Sequence, residues 1–99
     1  MQRGGVVYIM TNENNSVLYT GVTSNIVRRV YEHRTHAIPN SFTHKYNCTK
    51  LAWFKGFIFI EEAIAEEKRL KGGSRKQKMD LINNSNPEWK DLWTEIKEW

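Results

Sequence analysis

Cysteine is nearly absent from the chain: Cys48 is the single one in 99 residues. No intramolecular disulfide can form, a cysteine-rich zinc site is excluded, and a reducing cytoplasm is the expected location. Long apolar runs are missing too. Hydrophobic residues make up 39% of the chain, enough for a small core, yet no stretch approaches the ~20 apolar residues of a membrane span. The opening MQRGGVVYIM lacks the long apolar segment of a secretory signal. There is no internal repeat, linker or low-complexity segment, and the length leaves room for one core, so residues 1–99 are expected to form a single domain. Charge is plentiful. Fifteen basic residues face eleven acidic ones, giving a formal charge of +4 and a pI near 9.3, a balance that mildly favours a polyanionic partner.

The punctuation of the chain predicts its elements. VVYIMT (Val6 to Thr11) and VLYTG (Val17 to Gly21) read as strands, antiparallel across the turn-forming NENNS. Thr23, Ser24 and Asn25 are all suitable N-caps for a helix running to about Ala37, which Pro39 ends. A short helix is expected near Phe42 to Tyr46. LAWFKGFIFI (Leu51 to Ile60) reads as a third strand, apolar on both faces and therefore central. A helix from about Glu61 to Lys71 stops at Gly72-Gly73, and Ser74 caps another to about Asn83. Asn86-Pro87 reads as an N-cap followed by proline in the first turn. Trp89, Leu92, Trp93 and Ile96 then make an apolar stripe, predicting a C-terminal amphipathic helix over residues 87–99. The order ββαβααα predicts a small α/β fold of the α+β type, a three-stranded antiparallel sheet flanked by helices.

The helix faces carry the functional signal. On a wheel of roughly 100° per residue, Ile60, Ala63, Ile64 and Leu70 all fall within roughly 60° of Glu67. The inward stripe of that helix thus has a carboxylate at its centre, whereas Glu61, Glu62 and Glu66 point away. A buried carboxylate needs a cation, a proton or a metal. Either a salt bridge to an inward Arg or Lys or a functional carboxylate in a cleft satisfies it. In the first helix Ile26, Val27, Val30 and Tyr31 form the apolar face. Asn25, Arg29, Glu32, His33 and His36 form a polar stripe, with Arg29 and His33 one turn apart. The stripe is equally an ordinary solvated face, and Tyr8 and Tyr19 are each, taken singly, ordinary strand tyrosines. KRLKGGSRKQK (Lys68 to Lys78) carries six basic residues and no acid around a turn and a helix N-terminus, a pattern that suits phosphate or plain solvent.

Together these residues resemble the GIY-YIG nuclease domain. Its Gly-Ile-Tyr motif stands as Val6-Val7-Tyr8, its Tyr-Ile-Gly motif as Tyr19-Thr20-Gly21. The helix of paired basic residues and histidine matches Arg28-Arg29 and His33. The glutamate matches Glu67 within AIAEEKRLK, and a downstream asparagine matches Asn86. The resemblance spans about residues 5–90, and small standalone bacterial proteins of the YhbQ type share LYTGVTSN, Phe42-Thr43, LKGGSRKQK and NPEW. Val6 departs from the motif's leading glycine. Gly73 stands where those relatives suggest tryptophan, and Glu66 where they suggest arginine.

The resemblance implies divalent-metal-dependent DNA endonuclease chemistry with one Mg²⁺ or Mn²⁺ on Glu67. It implies catalytic roles for Tyr8, Tyr19, Arg29, His33, Glu67 and Asn86. Tyr8 would orient or deprotonate water if a neighbouring cation lowered its pKa. Arg28, Lys68, Lys71, Arg75, Lys76 and Lys78 are the candidate DNA contacts. The competing reading keeps the fold as a non-catalytic nucleic-acid-binding or adaptor module, with the Trp-rich C-terminal helix as a surface for a protein partner.

Overall fold

The structure, a computed structural model, describes residues 4–99, so the first three residues of the opening MQRGGVVYIM lie outside it. The elements run β1 (Gly5–Thr11), β2 (Leu18–Thr23), α1 (Ile26–Arg34), α2 (Phe42–Lys45), β3 (Lys50–Phe57), α3 (Ile60–Lys71), α4 (Arg75–Ser85) and α5 (Trp93–Ile96). The sheet is fully antiparallel in the order β2-β1-β3. The fold is of the α+β type.

β1, not β3, is the central strand. Val7 and Ile9 project to one face and join Ala52, Trp53, Ala63, Leu70 and Ile82. Tyr8 and Met10 project to the other and join Ile26, Val30, Cys48, Leu51 and Ile96. Strand alternation therefore feeds two cores, one under α3 and α4, the other under α1 and α5. The expectation that β3 is central fails because the apolar run does not stay in the sheet. β3 ends at Phe57, and Ile58 and Phe59 are 78% and 56% exposed in the connection to α3.

The expected helix over 87–99 is also corrected: only Trp93–Ile96 is helical. The cause is the edge of β3. Leu92 N–H donates to the Leu51 carbonyl at 2.8 Å, Asp91 Oδ1 accepts from Leu51 N–H at 3.1 Å, and Asn86 Nδ2 donates to the Ala52 carbonyl at 3.0 Å. Those edge groups need partners, and a non-helical chain over 86–92 supplies them. Asn86 is accordingly the C-cap of α4 rather than an N-cap, and Trp89 takes φ 53°. Arg34 ties Asp91 to α1 through a further ion pair. The Trp93, Leu92 and Ile96 side chains pack into the second core, so the stripe is largely internal.

α1 stops three residues early. His36 adopts φ 55°, with Ala37 N–H on the Glu32 carbonyl at 2.9 Å and His36 N–H on the His33 carbonyl at 3.4 Å, a left-handed terminus of the Schellman kind. α4 begins at Ser74 as expected, with a capping box to Gln77.

α3 packs across β1 and β2, and Gly5 sets how closely. A Cβ at Gly5 would run into Ile60 Cδ1 and stand 2.8 Å from Ala63 Cβ. Gly5→Ala is therefore expected to lift the first turn of α3 and cost about 1–3 kcal/mol by overpacking. Urea denaturation measures it, and an unchanged midpoint would show that the helix yields freely.

Candidate active site

Tyr8 reaches the site from the middle of β1, wholly buried. Its partner across the ladder is Gly21. A Cβ at Gly21 would lie 2.5 Å from both Tyr8 Cζ and Oη, so the phenol lies where only glycine leaves room. Tyr19, two residues earlier on β2, has its ring centroid 6.3 Å from that of Tyr8. His33 comes from the last turn of α1. It sits 5.6 Å from the Tyr8 ring and 5.5 Å from the Tyr19 ring, centroid to centroid. Tyr8 Oη and His33 Nε2 are hydrogen bonded at 2.8 Å, and His33 Nδ1 is 2.8 Å from Thr43 Oγ1. His33 is thus a buried member of the cluster and not part of an ordinary solvated face of α1, one of the two readings that its stripe left open.

Glu67 faces inward from α3 as the wheel predicts and is 8% exposed. Ile64, placed on the same stripe, is instead 39% exposed. The cation that meets Glu67 is Lys71, whose Nζ lies 2.8 Å from Oε2. Lys71 Nζ also lies 5.9 Å from the Tyr19 ring centroid, and the hydrogen bond to Glu67 raises the lysine's pKa. Glu66 points out and pairs with Arg69 through two hydrogen bonds of 2.9 and 2.6 Å.

Arg29 stands beside Tyr8 and His33 and pairs with Glu32 at 3.4 Å. The expected cation next to the phenol is therefore present, but it does not win. Burial pushes the Tyr8 pKa above its ordinary value, helped by Tyr19 and Glu67, and Arg29 offsets only part of this. The free protein keeps Tyr8 a neutral phenol. Burial, then Arg29, pushes His33 down to about 4, against a small opposing pull from Glu32. His33 is a neutral imidazole at pH 7.

Of the residues singled out in the sequence, Tyr8, Tyr19, Arg29, His33, Glu67 and Lys71 gather here. Lys78 joins Lys71, Tyr19 and Phe42 in lining a cleft of about 300 Å³. Asn86 is not brought in. Its side chain bonds Ala52 and Lys90, organising the loop after α4. Arg28 pairs with Glu32, Lys76 with Asp80, and Arg75 donates to the Asn15 carbonyl, while Lys68 is exposed. A larger cavity of about 520 Å³, lined by Val6, Ile26, Val27, Phe57 and Trp99 among others, contains none of the candidate residues. Thr43 and Phe42 were not singled out as site residues, although Phe42 stacks on Tyr19 at 5.7 Å. Their one signal was the Phe42-Thr43 match to YhbQ-type sequences.

The buried imidazole makes stability pH-dependent. The folded pKa lies below the ordinary 6.5, near 4, so the unfolded chain takes up the proton first as pH falls. The stabilisation is complete above pH 6.5 and is lost toward pH 4. Between pH 6.5 and 5.5 the unfolding free energy is expected to fall by about 1 kcal/mol. Urea denaturation at the two pH values measures it, and His33→Gln is expected to flatten the difference. A wild-type protein with no such difference would place His33 in contact with water.

Three comparisons bear on this arrangement. The GIY-YIG catalytic domain family matches residues 4–80. The UPF0213 protein CPE1444 of Clostridium perfringens (strain 13 / Type A) is 32% identical over 80 residues, 81% of this chain and 84% of that protein. The solution NMR structure of the UPF0213 protein BH0048 from Bacillus halodurans is similar with a TM-score of 0.56 and 26% identity, covering 90% of this chain and 93% of that one. Tyr8, Gly21, Arg29 and Glu67 all fall within the matched segment, and the chain belongs to the GIY-YIG family of nuclease domains.

Proposed function

We propose that the protein is a divalent-metal-dependent endonuclease that hydrolyses DNA phosphodiester bonds at the Tyr8–Tyr19–Arg29–His33–Glu67 cluster. The observation that carries this reading is a buried carboxylate, Glu67, acting together with the Arg29 guanidinium on the phenol of a neutral, hydrogen-bonded Tyr8–His33 pair. A stability role alone asks for none of the three.

The donor set fits a hard cation. Among the described residues no three His, Cys, Asp or Glu side chains gather for zinc. One carboxylate suits Mg²⁺ or Mn²⁺, which keep most of their waters and take a phosphate oxygen from substrate. Glu67 would hold the ion, which when bound supplies charge neutralisation at the phosphate and at the leaving oxygen. The chain's own residues do the rest. Tyr8 orients the attacking water. As its oxygen accepts a proton from that water, its own hydrogen passes to His33 Nε2 along the 2.8 Å bond. Arg29 depresses the imidazole's basicity in the free protein. A phosphate anion drawn to Arg29 screens that charge, so substrate itself makes His33 a better base. Arg29 then faces the charge that develops on phosphorus, and Tyr19 holds the water and phosphate.

DNA would lie along the cleft edge formed by Lys71 and Lys78, with Arg28, Lys68, Arg75 and Lys76 as outer phosphate contacts. The adaptor reading draws on one observation: Arg28, Arg69 and Lys76 are already paired with carboxylates, which lowers the field available to DNA. Among the described residues no helix is long and apolar enough to cross a membrane.

Glu67→Gln is expected to reduce metal-dependent cleavage by about 10³-fold or more while metal-free DNA binding persists. Glu66→Gln, on the outer face with Arg69, is expected to cleave normally. Equal cleavage by wild type and Glu67→Gln sinks the site, and no cleavage by any protein across branched, nicked and linear DNA favours the adaptor. Neutralising Arg75 and Lys76 together is expected to lower the slope of log K against log salt by about 1–2. An unchanged slope would put the DNA elsewhere.

A further inference from the structure

Both ring nitrogens of His33 are engaged, Nε2 with Tyr8 Oη and Nδ1 with Thr43 Oγ1, each at 2.8 Å. A neutral imidazole has one hydrogen, so one nitrogen donates and the other accepts. Both partners are hydroxyls that can serve either way, and their surroundings decide the direction. Arg29 is near enough to the phenol to favour a partly negative oxygen and has donors only, so it biases the phenol's lone pairs toward itself and the Tyr8 hydrogen toward Nε2. The imidazole hydrogen is then on Nδ1, and Thr43 Oγ1 accepts it.

Thr43 is built for that task. It is 2% exposed. Its backbone is pinned by the Cys48 N–H, which donates to the Thr43 carbonyl at 2.9 Å, and by the Ser41 cap of α2. Its own hydrogen has an outlet in Ser41 Oγ at 3.3 Å. The chain of donors thus runs from Tyr8 to His33, and from His33 through Thr43 to Ser41.

We infer that Thr43 is a positioning residue that fixes His33 as its Nδ1–H tautomer and so keeps Nε2 open to the proton of Tyr8. Its effect on rate rests on the nuclease reading, whereas its effect on the tautomer does not. Without the hydroxyl, the imidazole is free to carry its hydrogen on Nε2, where it would face the phenol as a donor and have no capacity to take a proton.

The test compares wild type with Thr43→Val, which keeps the shape and loses the hydroxyl, and Thr43→Ser, which restores it. Ring ¹⁵N NMR reads the His33 tautomer, thermal unfolding checks the fold, and kcat and KM are measured on the same DNA. The expected result is Nδ1–H in wild type and Thr43→Ser. In Thr43→Val it is a shift toward Nε2–H, with kcat lowered at least about 10-fold and KM little changed. Nε2–H in the wild type overturns the inference, as does a Thr43→Val protein that keeps both the Nδ1–H tautomer and wild-type kcat. Should Thr43→Val fail to fold, Thr43→Ala and the wild-type spectrum decide by the same criteria. If no protein cleaves DNA but the tautomer changes as stated, the nuclease reading falls and the positioning of His33 stands.

Discussion

The missing side chain at Gly21 is the constraint on which the site depends. A tyrosine on a central strand usually meets side chains on both neighbouring strands. Here the ring of Tyr8 lies over the position that a Cβ of Gly21 would occupy. That contact draws the phenol toward β2 and Tyr19, within reach of the His33 ring from α1. The glycine of the second motif therefore serves geometry: it makes room for the hydroxyl of the first. Glycine weakens a strand by roughly 0.5–1 kcal/mol relative to alanine, a modest cost beside burying a phenol with its hydroxyl bonded to His33.

Burial and the Arg29 charge then oppose each other at Tyr8 and reinforce each other at His33. Desolvation favours the neutral forms of both Tyr8 and His33 and is the leading cause for each. Arg29 acts oppositely on the two, easing ionisation of the phenol and resisting protonation of the imidazole. The free protein thus holds an uncharged hydrogen-bonded pair beside a guanidinium whose one carboxylate partner, Glu32, is shared with Arg28, which leaves a net positive charge for an anion. Lys71 extends the same logic: it compensates Glu67 inside the cleft while its ammonium lies over the Tyr19 ring.

Much of this was legible in the sequence because it is local. The inward Glu67 follows from helical periodicity, the start of α4 from Ser74, and the first hairpin from turn residues. The errors came where long-range partners override a local pattern. LAWFKGFIFI looks like a central strand, yet which strand is central depends on pairing, and its last residues are spent on the connection to α3. Trp89, Leu92, Trp93 and Ile96 have helical spacing, yet the edge of β3 demands partners from Asn86, Asp91 and Leu92 and takes that segment out of the helix. Thr43 was invisible as a site residue for the same reason: a threonine in a polar stretch acquires its role only when α2 folds back against α1.

α3 shows how packing and chemistry share one stripe. Ile60, Ala63, Glu67 and Leu70 recur at helical spacing and share its inward face, and three of the four are buried. At the N-terminal end, the absent side chain of Gly5 lets Ile60 and Ala63 settle against β1, which fixes the helix's rotation and depth. Two turns on, about 10 Å along the axis, that same rotation turns Glu67 into the cleft and leaves Glu66 to Arg69 outside. A rotation of one residue, roughly 100°, would exchange the two carboxylates and put the unwanted one under the sheet. The small residues at positions 5 and 63 therefore select which glutamate the site receives.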